Sequence, residues 1–152
     1  MDSEAHQPCL FLYGSLLTGT PDRRLNKNVR RLLRHAQPAV IQARLYNLGR
    51  YPGVVASTSA TDRVYGWIIT QNSHRLIRQL DRYEDYYAGD HKKSEFVRIL
   101  MQAKQLPSQR PIECWVYVYN RHISGKQRIK SGDYMRFRRA RRKWAGQSAT
   151  ST

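Results

Sequence analysis

The sequence is short of acidic residues and cysteine, and it contains no long hydrophobic run. Its 152 residues include 11 Asp and Glu against 27 Lys and Arg, which gives a formal net charge of +16. Two cysteines do not make a disulfide framework. Cys9 and Cys114 lie in apolar, strand-like runs, so we expect buried reduced thiols, although a bridge between them stays open. The first apolar run is far too short for a secretory signal or a membrane span, and we therefore expect a soluble, cytoplasmic protein.

Motifs for metals, nucleotides and serine nucleophiles are also missing. The five histidines are scattered and show no His-x-x-x-His spacing, and no Cys-x-x-Cys pair exists, so we expect no metal site. No Gly-x-Gly-x-x-Gly or Walker loop indicates a nucleotide cofactor. Ser15 lacks a surrounding Gly-x-Ser-x-Gly pattern, which argues against a nucleophilic role. The sequence therefore favours functions that need no cofactor.

An apolar run at residues 9–13 has the length of a strand, and Gly14-Ser15 ends it. Glycine permits a turn there and leaves peptide N–H groups uncovered. Such groups hold carboxylate or amide oxygens, although a turn of this kind, taken alone, is more often only a turn.

A helix is predicted for residues 72–83, with Asn72 or Ser73 as its cap. Its apolar stripe consists of Leu76, Ile77, Leu80 and Tyr83. Four residues beyond Leu80 the stripe reaches Glu84, so the pattern that buries the helix also directs a carboxylate inward. Burial and the negative end of the helix dipole both raise the pKa of such a carboxyl, as a general acid/base requires. On the helix pattern alone, a solvated glutamate is the commoner arrangement.

The order of these motifs resembles that of the gamma-glutamylcyclotransferase-like (AIG2-like) family. The family carries a Tyr-Gly-Ser/Thr-Leu loop, a Leu-Tyr-x-Leu-Gly-x-Tyr-Pro segment, a strand with Gly, and an Asp-x-x-Glu acid. The matching segments are Tyr13-Gly14-Ser15-Leu16, Leu45-Tyr46-Asn47-Leu48-Gly49-Arg50-Tyr51-Pro52, Val64-Tyr65-Gly66-Trp67 and Asp81-Arg82-Tyr83-Glu84. The resemblance covers residues 9–134, and several motifs in order are more specific than any one of them.

Two positions depart from the family pattern. The family acid is commonly followed by Gly, where this chain has Asp85, whose charge either raises the pKa of Glu84 further or turns to solvent. The family often has Tyr-x-Arg on the next strand, and the best match is Phe96-Val97-Arg98, which lacks one hydroxyl. The second departure leaves the detailed substrate contacts open.

The length and the order of elements predict one α+β domain. The resemblance implies a mixed, mostly antiparallel β-barrel flanked by helices, with a pocket where residues 13–16 and Glu84 converge. We expect this domain to span residues 7–135, followed at 136–152 by a basic helix and a disordered tail beginning at Gly146. Strands are predicted at 9–13, 40–45, 64–70, 96–101 and 112–119, helices at 23–34 and 72–83, and a polar loop at 102–111.

The resemblance also implies a cofactor-free cyclotransferase that acts on a gamma-glutamyl amine, amino acid or peptide and releases 5-oxoproline. Glu84 would be the general acid/base, and the backbone of Tyr13, Gly14, Ser15 and Leu16 would hold the substrate. By resemblance, Tyr119 would line the pocket, and Pro52, in a loop at 51–53, would close one wall. An alternative within the same enzyme class is removal of a gamma-glutamyl group from a larger amine during its biosynthesis.

The positive charge is concentrated near the C-terminus. Residues 126–143 include nine basic side chains and one acid, Asp133. Such a segment suits phosphate backbones, an anionic membrane surface or an acidic protein, but it is also common as a solvated face. Without a nucleic-acid-binding motif, the prediction is weak, non-specific nucleic-acid binding. A non-catalytic binding module that uses this basic surface is the competing function, and the sequence leaves the oligomeric state open.

Overall fold

The structure, a computed structural model, describes residues 8–70 and 74–148, with side chains up to residue 145. This part of the chain forms eight strands and four helices. The strands are β1 (Cys9–Leu12), β2 (Gln37–Ile41), β3 (Ala43–Asn47), β4 (Pro52–Ala56), β5 (Val64–Ile69), β6 (Phe96–Gln105), β7 (Pro111–Tyr119) and β8 (Gln127–Arg128). The helices are α1 (Ser15–Thr18), α2 (Arg23–Leu33), α3 (His74–Tyr83) and α4 (Tyr134–Ser148).

Five strands close into a barrel in the order β1-β5-β2-β6-β7. All neighbouring pairs are antiparallel except β1 and β7, which run parallel. A second sheet has the order β4-β3-β8. The predicted α+β fold, a mixed and mostly antiparallel barrel with helices, is confirmed.

Strand β1 is buried on both faces, which places its end at the centre of the molecule. Phe11 packs in a cluster with Ile68 and Val116, on the neighbouring strands. Leu12 belongs to a second cluster, with residues of α2 and α3 such as Leu80. Leu80 is fully buried, and such a side chain stabilises the fold by about 1.5–3 kcal/mol. The end of β1 and helix α3 are therefore held in one packed layer.

One strand prediction and two loop predictions were wrong. The single strand predicted at 40–45 is two strands, and Gln42 separates β2, which pairs in the barrel, from β3, which pairs with β4 and β8. The loop predicted at 102–111 is shorter, because β6 continues to Gln105 and β7 begins at Pro111. Pro52 lies in strand β4 rather than in a loop, because this segment pairs with β3.

The helices agree better with the sequence. Helix α2 begins where it was predicted and ends one residue earlier, at Leu33, while the predicted caps Asn72 and Ser73 lie outside the described residues. Helix α4 runs through Ser148, so it continues two residues past the start of the tail predicted at Gly146, and residues 149–152 are outside the described part.

The two cysteines face each other across the parallel pair of β1 and β7. Cys9 and Cys114 are Cα partners in this pairing, and both are buried free thiols, as predicted. Within residues 8–70 and 74–148, no helix is long and apolar enough to cross a membrane.

Candidate active site

The turn predicted after β1 forms the first turn of helix α1, with Gly14 in the N-cap position. The backbone at position 14 does not require glycine, because its φ of −131° is not left-handed. The position needs glycine for space, since a Cβ there would lie 2.7 Å from Cγ of Pro52. Among the described residues no side chain caps this helix, and the first N–H groups of a helix have no partner within it. The close approach of Pro52 therefore sets the position of a small group of backbone donors.

Glu84 follows directly after helix α3. Its N–H donates to the carbonyl of Leu80 at 2.8 Å, so the backbone continues the helical turn for one more residue. Leu76, Ile77 and Leu80 of the predicted stripe are buried, and Tyr83, its fourth member, is partly buried. In the described part of the chain, nothing hydrogen-bonds the Glu84 carboxyl.

A pocket of about 290 Å³, including its open mouth, brings the two segments together. Its lining consists of Phe11, Leu12, Tyr13, Gly14, Ser15, Leu16, Pro52, Glu84 and Tyr117. Every candidate site residue from the sequence lines this pocket except Tyr119. The structure thus brings residues 13–16 and Glu84 together around one pocket.

The pKa of the Glu84 carboxyl is raised to about 8. Burial is the larger cause, and the negative charge of Glu95 adds to it. Burial acts by removing water from the charged form, as the sequence-based argument required. A carboxyl with this pKa exchanges a proton readily at neutral pH, and such shifts are concentrated at functional sites.

Asp85 turns to solvent. Its side chain is exposed and accepts a hydrogen bond from the Tyr87 hydroxyl at 3.1 Å. Its φ of 57° is left-handed, where glycine is favoured and aspartate is tolerated. This backbone requirement accounts for the glycine that the family commonly has after its acid.

A chain of hydrogen bonds supports the floor of the pocket. The Tyr13 hydroxyl donates to the carbonyl of Tyr117 at 2.7 Å, and the Tyr117 hydroxyl donates to Oδ1 of Asp81 at 2.7 Å. Asp81 also accepts from Nε of Arg98 at 2.9 Å and from its Nη2 at 3.3 Å. Asp81 therefore joins Tyr117 and Arg98 beneath the pocket. Burial holds the pKa of Tyr13 and Tyr117 well above the usual tyrosine range, so both remain neutral donors.

Tyr119 lies beside the pocket rather than in its lining. Its ring centroid is 5.4 Å from that of Phe96, which in turn lies 5.9 Å from the Tyr51 ring. The Tyr51 hydroxyl donates to Glu95, and burial raises the pKa of this tyrosine. Phe96, at the position where the family often has tyrosine, is thus buried, and its ring lies between those of Tyr51 and Tyr119.

Two neighbours of the site were missed from the sequence. Tyr117 and Tyr119 lie two residues apart on β7, so their side chains share one face of the strand. This spacing could have identified Tyr117 from the sequence. Glu95 lies eleven positions after Glu84 in an irregular segment, where no periodicity marks it. Among the described residues, no group of three or more His, Cys, Asp or Glu is placed to hold a metal ion.

Comparison with known proteins supports the fold and the family. Residues 10–136 match the sequence profile of the family described as gamma-glutamyl cyclotransferase, AIG2-like. A comparison with curated protein sequences gives no significant match.

Several solved structures share the fold. YtfP of Escherichia coli is 25% identical with a TM-score of 0.52, over 83% of this chain and 95% of that one. An AIG2-like protein of Mus musculus is 22% identical with a TM-score of 0.50, over 74% and 77% of the two chains. PH0828 of Pyrococcus horikoshii is 16% identical with a TM-score of 0.55, over 90% and 97%. The profile match covers most of the sequence, and the chain belongs to the AIG2-like gamma-glutamyl cyclotransferase family.

Proposed function

We propose that this protein is a cyclotransferase that converts a gamma-glutamyl amine, amino acid or peptide into 5-oxoproline and the free amine. The family supports a function of the cyclotransferase type. The observation that carries the proposal is the Glu84 carboxyl, which has no hydrogen-bond partner among the described residues, has a pKa raised to about 8 and lines a small pocket together with backbone donors. The buried free thiols support a reducing compartment such as the cytoplasm.

The reaction needs a proton carrier more than it needs a nucleophile. The α-amine of the substrate attacks its own γ-carbonyl carbon, a new C–N bond closes the five-membered ring, and the bond to the departing nitrogen breaks. Two protons leave the attacking nitrogen, and both end on the departing amine. Glu84 takes each proton as a carboxylate and delivers it as a carboxylic acid, so it returns to its starting form.

The pocket also has to bend the substrate and stabilise charge. Holding the amine near the γ-carbonyl turns ring closure into a favourable internal reaction. The backbone N–H groups at the start of helix α1 would donate to the substrate α-carboxylate or to the oxyanion that forms on the γ-carbonyl. Tyr13 and Pro52 would shape the walls, and Tyr119 would contact the substrate only where it extends beyond this pocket.

Incubation of the purified protein with a panel of gamma-glutamyl compounds, monitored for 5-oxoproline, tests the proposal. The panel includes gamma-glutamyl amines, gamma-glutamyl amino acids and a gamma-glutamyl tripeptide, with the corresponding α-glutamyl compounds as controls. Turnover of at least one gamma-glutamyl compound, and of no α-glutamyl compound, is expected. Absence of 5-oxoproline across the panel from a folded protein would contradict the proposal and favour the non-catalytic binding module.

A further inference from the structure

A second and larger cavity lies beside the start of helix α4. It is a groove of about 800 Å³, including its open side. Its lining consists of Tyr13, Leu17, Pro38, Ala39, Tyr65, Gly66, Trp67, Leu106, Asp133, Tyr134, Met135 and Arg139. Only Tyr13 lines both this groove and the Glu84 pocket. The proposed reaction makes no use of it.

Two large aromatic side chains are exposed in this groove. Tyr65 and Trp67 are each 40% exposed, although rings of this size are usually covered. They lie two residues apart on β5, so they share one face of the strand at a spacing of roughly 7 Å. Such rings provide flat surfaces on which other flat rings can stack.

Helix α4 places a dense positive charge next to these rings. It has no acidic residue, and its basic side chains are Arg136, Arg138, Arg139, Arg141, Arg142 and Lys143. In the described part of the chain, none of the six forms a salt bridge. At a rise of 1.5 Å per residue, six charges fall within about 10 Å of helix. Pairs such as Arg138 and Arg142, four residues apart, repel each other, and an anionic partner relieves that repulsion.

Arg139 connects the charge to the rings, because it belongs to the helix and also lines the groove. The acid of the groove, Asp133, is held at the start of α4, where its Oδ1 accepts the N–H of Arg136 at 3.0 Å. The exposed residues 139–145 contain one large apolar side chain, Trp144. One such side chain is too little apolar surface for insertion into a membrane.

We propose that this groove and helix α4 bind single-stranded nucleic acid. Unpaired bases stack on Tyr65 and Trp67, and the phosphates contact Arg139 and its neighbours on α4. Stacking on aromatic rings beside a basic surface is the way in which proteins bind single strands without reading their sequence. A duplex keeps its bases paired and stacked, so it can use only the charges.

Fluorescence anisotropy with a labelled oligothymidine of about 12 nucleotides tests the proposal without any reference to enzymatic activity. The logarithm of the association constant should fall linearly with the logarithm of salt concentration, with a dissociation constant near the micromolar range at physiological salt. Trp67→Ala should weaken binding about tenfold, whereas Trp67→Phe, which keeps a ring, should retain it.

A pair of charge reversals separates the groove from the overall charge. Arg139→Glu and Lys92→Glu change the net charge equally, but Lys92 is an exposed residue before β6 and does not line the groove. Arg139→Glu should weaken binding at least fivefold more than Lys92→Glu. Circular dichroism establishes that each variant is folded.

Any one of several results would overturn the proposal. They are equal affinity for a duplex of the same length, equal effects of the two charge reversals, unchanged binding by folded Trp67→Ala, and equally effective competition by polyglutamate, an anion without bases. Tighter binding to phosphatidylserine vesicles than to oligothymidine would also overturn it and assign the surface to membranes.

Discussion

The hydroxyl of Ser15 lies 3.0 Å from the hydroxyl of Tyr83, and this contact joins the two segments of the candidate site. Ser15 is the first residue of α1, and Tyr83 is the last residue of α3, directly before Glu84. The hydrogen bond therefore fixes the backbone donors relative to the carboxyl.

Ser15→Ala and Tyr83→Phe each remove this hydrogen bond. Each should lower the free energy of unfolding by about 1 kcal/mol, and the double variant should lose little more than either single variant. Urea unfolding of the four proteins measures the coupling. Fully additive losses would show that the two hydroxyls do not act together.

Asp81→Asn tests whether Asp81, one helical turn before Asp85, stabilises the fold rather than taking part in the reaction. The substitution leaves the charge of Arg98 without its partner in a site where both side chains are 17% exposed. The free energy of unfolding should fall by about 2 kcal/mol, while kcat/KM should change little. Loss of activity with an unchanged melting temperature would mean that Asp81, and not Glu84, carries the proton.

The pH dependence of kcat/KM should report the raised pKa of Glu84. Activity should rise about tenfold per pH unit below the midpoint near 8, because the base form is needed for the first proton transfer. Glu95→Gln removes the negative charge that contributes to this shift, so its profile should move to lower pH. Asp85→Asn is the matched control, because Asp85 is exposed and its removal should leave the midpoint in place. Both variants use the same substrate, so the titration of the substrate ammonium cancels in the comparison. A Glu95→Gln profile identical to that of the wild type would contradict the assignment.

The same carboxyl should make the fold less stable as the pH rises. The unfolded chain releases the Glu84 proton above about 4.5, whereas the folded protein keeps it until about 8, so the free energy of unfolding falls across this interval. Glu84→Gln does not titrate. It should therefore be more stable than the wild type at pH 8, by a few kcal/mol, with the difference smallest near pH 4. Thermal or urea unfolding at the two pH values measures this, and a difference that does not change with pH would count against a partly buried, neutral carboxyl.

The parts of the fold that the sequence predicted are those where one local period decides the structure. The stripe of Leu76, Ile77 and Leu80 predicted both helix α3 and the inward direction of Glu84. The break at Gln42 was not predictable in this way. Buried residues alternate with more exposed ones without interruption from Ala39 to Leu45. At Gln42 the chain changes the strands with which it pairs, while this alternation continues.

Three further differences have the same origin in tertiary contacts. The end of β6 is polar on its outer face and has Ala103 as its fully buried residue, so its composition resembles that of a loop. Tyr117 and Tyr119 share one face of β7, and Tyr117, whose hydroxyl donates to Asp81 of helix α3, is the one that lines the pocket. Glu95 reaches the site because its N–H donates to the carbonyl of Asp85 at 3.1 Å, a contact between two irregular segments.

The turnover of Glu84→Gln, measured as 5-oxoproline formed from the best gamma-glutamyl substrate, tests the central claim most directly. The substitution keeps the shape of the side chain and removes the proton that it carries. With Asp85→Asn as the folded and active control, kcat should fall by at least about two orders of magnitude in a Glu84→Gln protein whose circular dichroism is unchanged. Turnover near that of the wild type in the folded variant would contradict the account.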